Sequence, residues 1–254
     1  MAVQATLRQS RGPDGMGRLQ ALTYVDQVID LIVSRAALGK ILPGDRINEL
    51  DLSHELGISR APIREAFRSL VVQGVVESVA YQGVRLSPLS ALRVRQVNEV
   101  RFELEKLALR TLAESQHIDA LIKTLGDILE DMKAAARKED TLALVTLDAD
   151  FHEATMRAAD NPVLLRFWQM LRPQLIIMFG LAALKKPLRK ILDEHRNLLA
   201  QFATQKWKGI EATLSEHILA DNLSIDFESF KRPAVATSKR KGKARAIKAP
   251  LAAE

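Results

Sequence analysis

The sequence predicts a mainly α fold in two units: three helices and a β-hairpin, followed by an antiparallel bundle of about six helices. Three observations lead there. Apolar residues recur at helical spacing along most of the 254-residue chain. One stretch, residues 75–87, is rich in β-branched residues around Tyr81-Gln82-Gly83. Beyond Pro88, which marks a short linker, almost no strand signal remains.

The elements follow in order. Residues 1–17 carry the breakers Gly12, Pro13, Gly15 and Gly17 and read as disordered. Between Leu19 and Leu38, residues Leu22, Val25, Val28, Ile29, Ile32 and Val33 form one apolar helical face. Pro43-Gly44-Asp45 is a turn, and Asn48 is placed to cap a helix over Leu50–Leu56 that Gly57 ends. Ser59 is expected to cap a third helix with Pro62 in its first turn and Ile63, Ala66, Phe67, Leu70 and Val71 facing inward, closed by Gly74. Val75–Ala80 and Val84–Ser87 form the hairpin. This is the order of a winged helix-turn-helix. Helical periodicity then covers 90–113, 118–137, 140–159, 162–183, 187–204 and 207–228.

Composition narrows the functions. Without cysteine there are no disulfides, thiolate metal sites or Cys nucleophiles, and a reducing compartment fits. The longest apolar run, Leu175–Leu184, has ten residues, short of the roughly 18 of a membrane span. No signal-peptide pattern is seen, so a cytoplasmic location with no membrane partner is expected. Aromatics at 5% weaken any model built on stacking single-stranded bases. The formal charge is +6, but its distribution matters more. Residues 1–88 carry a net +1, residues 89–230 a net −2 and residues 231–254 a net +7. The last segment has no helical or strand period and reads as a disordered basic tail, either solubilising or binding phosphates without sequence preference.

Arg60, Arg64 and Arg68 are spaced by four, so they share one face of the third helix. Such a helix can enter a major groove, where arginine pairs with guanine edges or phosphates. A charged face in solvent has the same spacing; the hairpin, whose glycine tip can approach DNA, favours the DNA reading. The run from Leu42 to Leu86 resembles the N-terminal domain of GntR-family transcription regulators. It carries Pro43-Gly44-Asp45-Arg46-Ile47-Asn48-Glu49, Leu52-Ser53, Leu56-Gly57-Ile58-Ser59-Arg60-Ala61-Pro62-Ile63-Arg64-Glu65-Ala66 and Gly74-Val75-Val76-Glu77. The resemblance implies that Arg60 and Arg64 read bases and phosphates, with Ala61 and Pro62 in the first turn of that helix and Gly83 at the wing tip; Arg68 joins the face on spacing. Tyr81-Gln82 departs from the basic or small polar residue that many relatives have before that glycine.

Asp148 and His152 lie four apart on one helix, His195 on a later helix and His217 on the last. Three imidazoles and a carboxylate can hold a divalent metal, though each alone is commonly a surface or helix-end residue. Residues 92–223 resemble the helical ligand domain, called FCD, of the FadR subfamily. The matching pieces are Val100-Arg101-Phe102-Glu103-Leu104-Glu105, Asp148-Ala149-Asp150-Phe151-His152, Asn161-Pro162, Glu194-His195-Arg196 and Glu216-His217. The resemblance implies that Asp148, His152, His195 and His217 ligate a divalent metal, zinc ahead of nickel, manganese or iron, that helps hold a small carboxylate effector. Arg101 then pairs either with that carboxylate or with Glu105 at i+4.

The reading is a winged helix-turn-helix DNA-binding domain over 18–88 and an all-helical effector-binding and dimerisation domain over 89–230. The chain is expected to be no enzyme but a homodimeric repressor on a palindromic operator, released by its effector. A metal-dependent hydrolase or dioxygenase remains the rival from another class, and an architectural DNA binder using the tail is the structural one. His117 reads as surface, His54 as exposed, Trp168 as core or a cavity wall and Trp207 as core or interface.

Overall fold

In the computed structural model, residues 23–81, 83–114, 118–221 and 225–230 are described. The expected segments 1–17 and 231–254, the residues Leu19–Leu22, and His117 lie outside them. The fold is mainly α, with the two units in the expected order.

Helix α1 (Tyr24–Ala37) starts at a capping box: Thr23 Oγ1 accepts from Asp26 N, and the Asp26 carboxylate accepts from Thr23 N, both at 3.1 Å. Asn48 caps α2 (Glu49–Leu56), accepting from Leu50 N at 2.9 Å. Gly57 ends it at φ 64°, a left-handed conformation that glycine adopts without steric cost. Helix α3 spans Arg60–Val72. Ser59 occupies its cap position but makes no side-chain cap bond, contrary to expectation. Pro62 is the third helical residue and has no N–H, so one of the two donors a cap normally uses is missing.

The hairpin is part of a three-stranded antiparallel sheet. Strand β1 (Arg46–Ile47), β2 (Val76–Val79) and β3 (Gly83–Leu86) pair in the order β1-β3-β2, with Arg46 opposite Arg85 and Val79 opposite Gly83. The two-residue β1 was not expected, because two residues cannot show alternation.

The second unit contains α4 (Ala91–Ala113), α5 (Ile118–Arg137), α6 (Thr141–Ala158), α7 (Pro162–Ala183), α8 (Leu188–Thr204) and α9 (Trp207–Ser215). The last helix is shorter than the periodicity suggested. It widens into a π turn over Glu216–Asp221, and a 3₁₀ turn follows at Phe227–Ser229. Such single π turns often mark functional positions.

The two units share one continuous apolar core rather than meeting across an open linker. Helix α1 lies on α7 so closely that a Cβ on Gly180 would stand 2.4 Å from the Ala37 carbonyl oxygen. Arg93 of α4 donates to Gly74 O at 2.6 Å and to Gln174 Oε1 at 3.0 Å, and Gln174 of α7 donates to Gln73 O at 2.6 Å. The C-terminal end of α3 is thus tied to both α4 and α7. No described helix is long and apolar enough to cross a membrane.

Candidate functional sites: an arginine face and a buried histidine cluster

The α2–Gly57–α3 unit buries Ile63, Ala66, Phe67 and Leu70 and leaves Arg60, Ala61, Arg64 and Arg68 exposed, with Pro62 half-buried. The spacing of four therefore yields the expected outward face. Glu49, the first residue of α2, joins it: Oε1 accepts from Arg60 Nε at 2.5 Å and from Arg64 Nε at 2.9 Å. Burial alone would raise the Glu49 carboxyl pKa, but the hydrogen bond and charge of Arg60 and the charge of Arg64 together hold it below its ordinary value. Because both arginines bind Glu49 through Nε, neither uses an Nη group there. Gly83 begins β3 at φ 82°, and Arg46 packs beside it, its Nε 3.4 Å from where a Cβ would sit. Arg46 and Glu49 were quoted as motif letters without a role. Their positions depend on the sheet and on α2 meeting α3, which spacing alone does not reveal.

In the helical unit, the four expected residues come together. Asp148 and His152 project from one face of α6, His195 from α8 and His217 from the π turn. Each offers one ligand atom within 4.8 Å of the others, and all four are buried. His195 Nε2 stands 3.3 Å and His152 Nε2 3.7 Å from Asp148 Oδ1; His217 Nε2 is 3.3 Å from His152 Nε2.

The opposite nitrogens explain this convergence. His152 Nδ1 lies 2.8 Å from Glu105 Oε2, His195 Nδ1 2.8 Å from the Ile191 carbonyl oxygen and His217 Nδ1 3.6 Å from Glu194 Oε2. The Ile191 carbonyl can only accept, so the His195 proton belongs on Nδ1; His152 Nδ1 has a carboxylate oxygen at hydrogen-bond distance, which favours the same tautomer, and His217 Nδ1 faces its carboxylate at ion-pair distance. His152 Nε2 and His217 Nε2 stand 3.3 Å apart, close enough to share a proton or to serve as two donors to one cation. Asp148 Oδ1 and His195 Nε2 are buried without a hydrogen-bond partner. A donor set of three imidazole nitrogens and one carboxylate, with orphaned buried atoms, fits a divalent metal.

Electrostatics agree. Burial would raise the Asp148 pKa, but the facing histidines, His195 first, hold it well below the carboxylate range. Burial, the Arg101 charge and His217 push His152 well below 6.5 and keep it neutral. His217 is lowered chiefly by burial; burial also opposes charge on His195, but Asp148 outweighs it and raises that pKa.

Arg101 lies beside this cluster on α4, fully buried. Its Nε donates to Glu105 Oε1 at 2.8 Å, as the intrahelical alternative required. Yet Nη1 and Nη2 have no hydrogen-bond partner, and the guanidinium lies over Phe179 at 4.8 Å and near Trp168 at 5.8 Å. Two unpaired NH2 groups of a guanidinium in a dry interior suit a carboxylate. Trp168 is fully buried, its ring 6.2 Å from that of His152, so it walls the site. Trp207 packs at the edge of the core, and His54 is exposed. A cavity of about 320 Å³ opens between α8 and the α9 end, lined by Lys190, Glu194, Asn197, Thr213, Glu216 and His217. It has small-ligand size and reaches the cluster through His217.

Comparison with known proteins gives two family matches. The pattern described as bacterial regulatory proteins, gntR family, covers residues 24–86, and that described as FCD domain covers residues 96–220. Among curated relatives, the probable D-xylose utilization operon transcriptional repressor of Paenarthrobacter nicotinovorans is 30% identical over 80% of this chain and 89% of that protein. The gluconate operon transcriptional repressor of Bacillus subtilis is 28% identical over 67% of this chain and 72% of its own. Among solved structures, Escherichia coli McbR/YncC shares the fold, with a TM-score of 0.67 at 21% identity over 83% of this chain and 100% of that one.

Proposed function

Since the chain belongs to the GntR family of bacterial regulatory proteins and carries an FCD domain, we propose that it is a transcription regulator whose operator binding is set by a small carboxylate at a metal-assisted site. The family and these relatives are transcription regulators, not enzymes, so the hydrolase and dioxygenase alternatives lack support.

One observation carries the proposal: the unpaired Nη groups of buried Arg101 beside four convergent metal-ligand atoms. In this reading Asp148, His152, His195 and His217 hold the metal, zinc ahead of nickel, manganese or iron. The metal supplies a second positive charge for ligand oxygens. Arg101 pairs with the effector carboxylate through Nη1 and Nη2, while Trp168 and Phe179 exclude water. The operons named for two relatives handle a sugar and a sugar acid, which favours sugar acids and hydroxy acids as the first compounds to test.

The DNA-binding unit is residues 18–88, in which Arg60 and Arg64 read bases and phosphates, Ala61, Pro62 and Arg68 line the same helix, and Gly83 approaches the backbone. Residues 89–230 bind the effector and dimerise the protein. Two recognition helices on a twofold axis read a palindromic operator. Effector and metal favour one arrangement of the helical unit and so bias the spacing of the heads, releasing the repressor. A thermal-shift screen of sugar acids, hydroxy acids and dicarboxylates tests this, with and without chelator. At least one acid is expected to raise Tm in a chelator-sensitive way. If no acid does, the effector assignment fails.

A further inference from the structure

We propose that Glu105 is the positioning carboxylate of the site: it fixes the tautomer of His152 and, with the same group, the free edge of Arg101. This rests on the proposed metal and effector site but assigns a role to a residue outside the ligand set.

Glu105 sits on α4, one turn after Arg101, and is 1% exposed. Each of its oxygens has one partner. Oε1 accepts from Arg101 Nε and Oε2 faces His152 Nδ1, both at 2.8 Å. Burial raises the Glu105 pKa, while the charge and hydrogen bond of Arg101 oppose that rise. With Oε1 accepting from Arg101, the ionised carboxylate offers Oε2 to His152 Nδ1 as an acceptor, so Nδ1 is the donor. That leaves the His152 Nε2 lone pair facing Asp148 and His217, where a metal needs it. On the other side, Glu105 occupies only Nε of Arg101. Nη1 and Nη2 stay unpaired, and the rings of Phe179 and Trp168 flank the guanidinium. The side chain therefore orients one metal ligand and one anion-binding cation through a single rigid link. If Glu105 is exchanged for glutamine, the new amide can donate to His152 Nδ1. The ring then turns to the Nε2–H tautomer, which cannot ligate.

The test uses the full-length protein and zinc alone, titrated in competition with a chromophoric chelator. Glu105→Gln is expected to weaken zinc binding about 10- to 100-fold. Operator binding without metal should persist, which reports folding. Equal zinc affinity in a folded Glu105→Gln variant overturns the proposal. Should that variant not fold, long-range ¹H–¹⁵N spectra of metal-free wild type decide. A His152 proton on Nδ1 and a protected Arg101 Nε–H support the assignment; a proton on Nε2 overturns it. A wild type that takes up no zinc yet shows the Nδ1 tautomer contradicts the metal reading instead, so the two failures are distinguishable.

Discussion

Arg60 and Arg64 share one acceptor, Glu49 Oε1, and this governs how the recognition face can act. Exposed ion pairs stabilise a fold by less than about 1 kcal/mol, so the fold does not depend on them. They narrow the conformations of two long side chains before DNA arrives, which lowers the entropy lost on binding. Arg60→Ala or Arg64→Ala should therefore weaken operator binding by about 1–3 kcal/mol per base contact and leave the unfolding curve unchanged. Mobility-shift titrations check this. Glu49→Gln removes a negative charge from the same face. It should raise affinity for non-specific DNA and lower the ratio of operator to non-specific binding. A variant improved on both would mean that Glu49 only repels phosphate.

Among elements, α1 is held through its last turn. Arg35 and the Glu55 carboxylate of α2 form a two-point ion pair, with Arg35 Nη1 2.9 Å from Glu55 Oε2. The Arg35 hydrogen bond and charge outweigh desolvation and lower the Glu55 pKa from its ordinary 4.5. A lowered folded value means the pair stabilises above about 4.5 and loses its effect as pH falls through the folded pKa. Because both side chains are partly exposed, Glu55→Gln should cost under about 1 kcal/mol at neutral pH and nothing in strong acid. Denaturant melts at the two pH values check the sign. In the same last turn, Ala37 of α1 rests on Gly180 of α7. Gly180→Ala must push the helices apart or deform them, with an expected loss of about 1–3 kcal/mol in thermal unfolding.

The same elements separate what was legible in the sequence from what was not. Helices α4–α8 follow from apolar spacing that persists for several turns, and Asn48 and Gly57 mark the ends of α2 by ordinary capping chemistry. Strand β1 is too short for a period, and the π turn at Glu216–Asp221 has no sequence signature of its own. In the site, the four candidate metal ligands were readable as residue types at helical spacing and by family resemblance. The Glu105–His152 contact spans 47 residues and arises only when α4 meets α6. Gly180 looked like one small residue in an apolar run; its meaning is the proximity of Ala37.

For the whole molecule, a continuous set of contacts joins the buried site to the DNA-binding unit. Arg101 stacks on Phe179, the next residue is Gly180, and Gly180 touches α1; Gln174 and Arg93 tie α7 and α4 to the end of α3. A ligand that moves Arg101 by a fraction of an ångström therefore acts on packed helices rather than on a loose tether. The surplus charge lies elsewhere: residues 231–254 carry +7, while residues 1–88 are almost neutral. Truncation after Phe230 should lower non-specific DNA affinity and flatten its salt dependence while sparing operator choice. Footprinting of the truncated chain distinguishes this from an architectural binder, which would lose its DNA coverage altogether.

The most direct test of the account is the operator affinity of the full-length protein, measured with the acid that gives the largest thermal shift, with and without chelator. The acid is expected to weaken operator binding at least about fivefold, an effect absent after chelation and in Arg101→Gln. An operator affinity indifferent to both acid and metal would contradict the account.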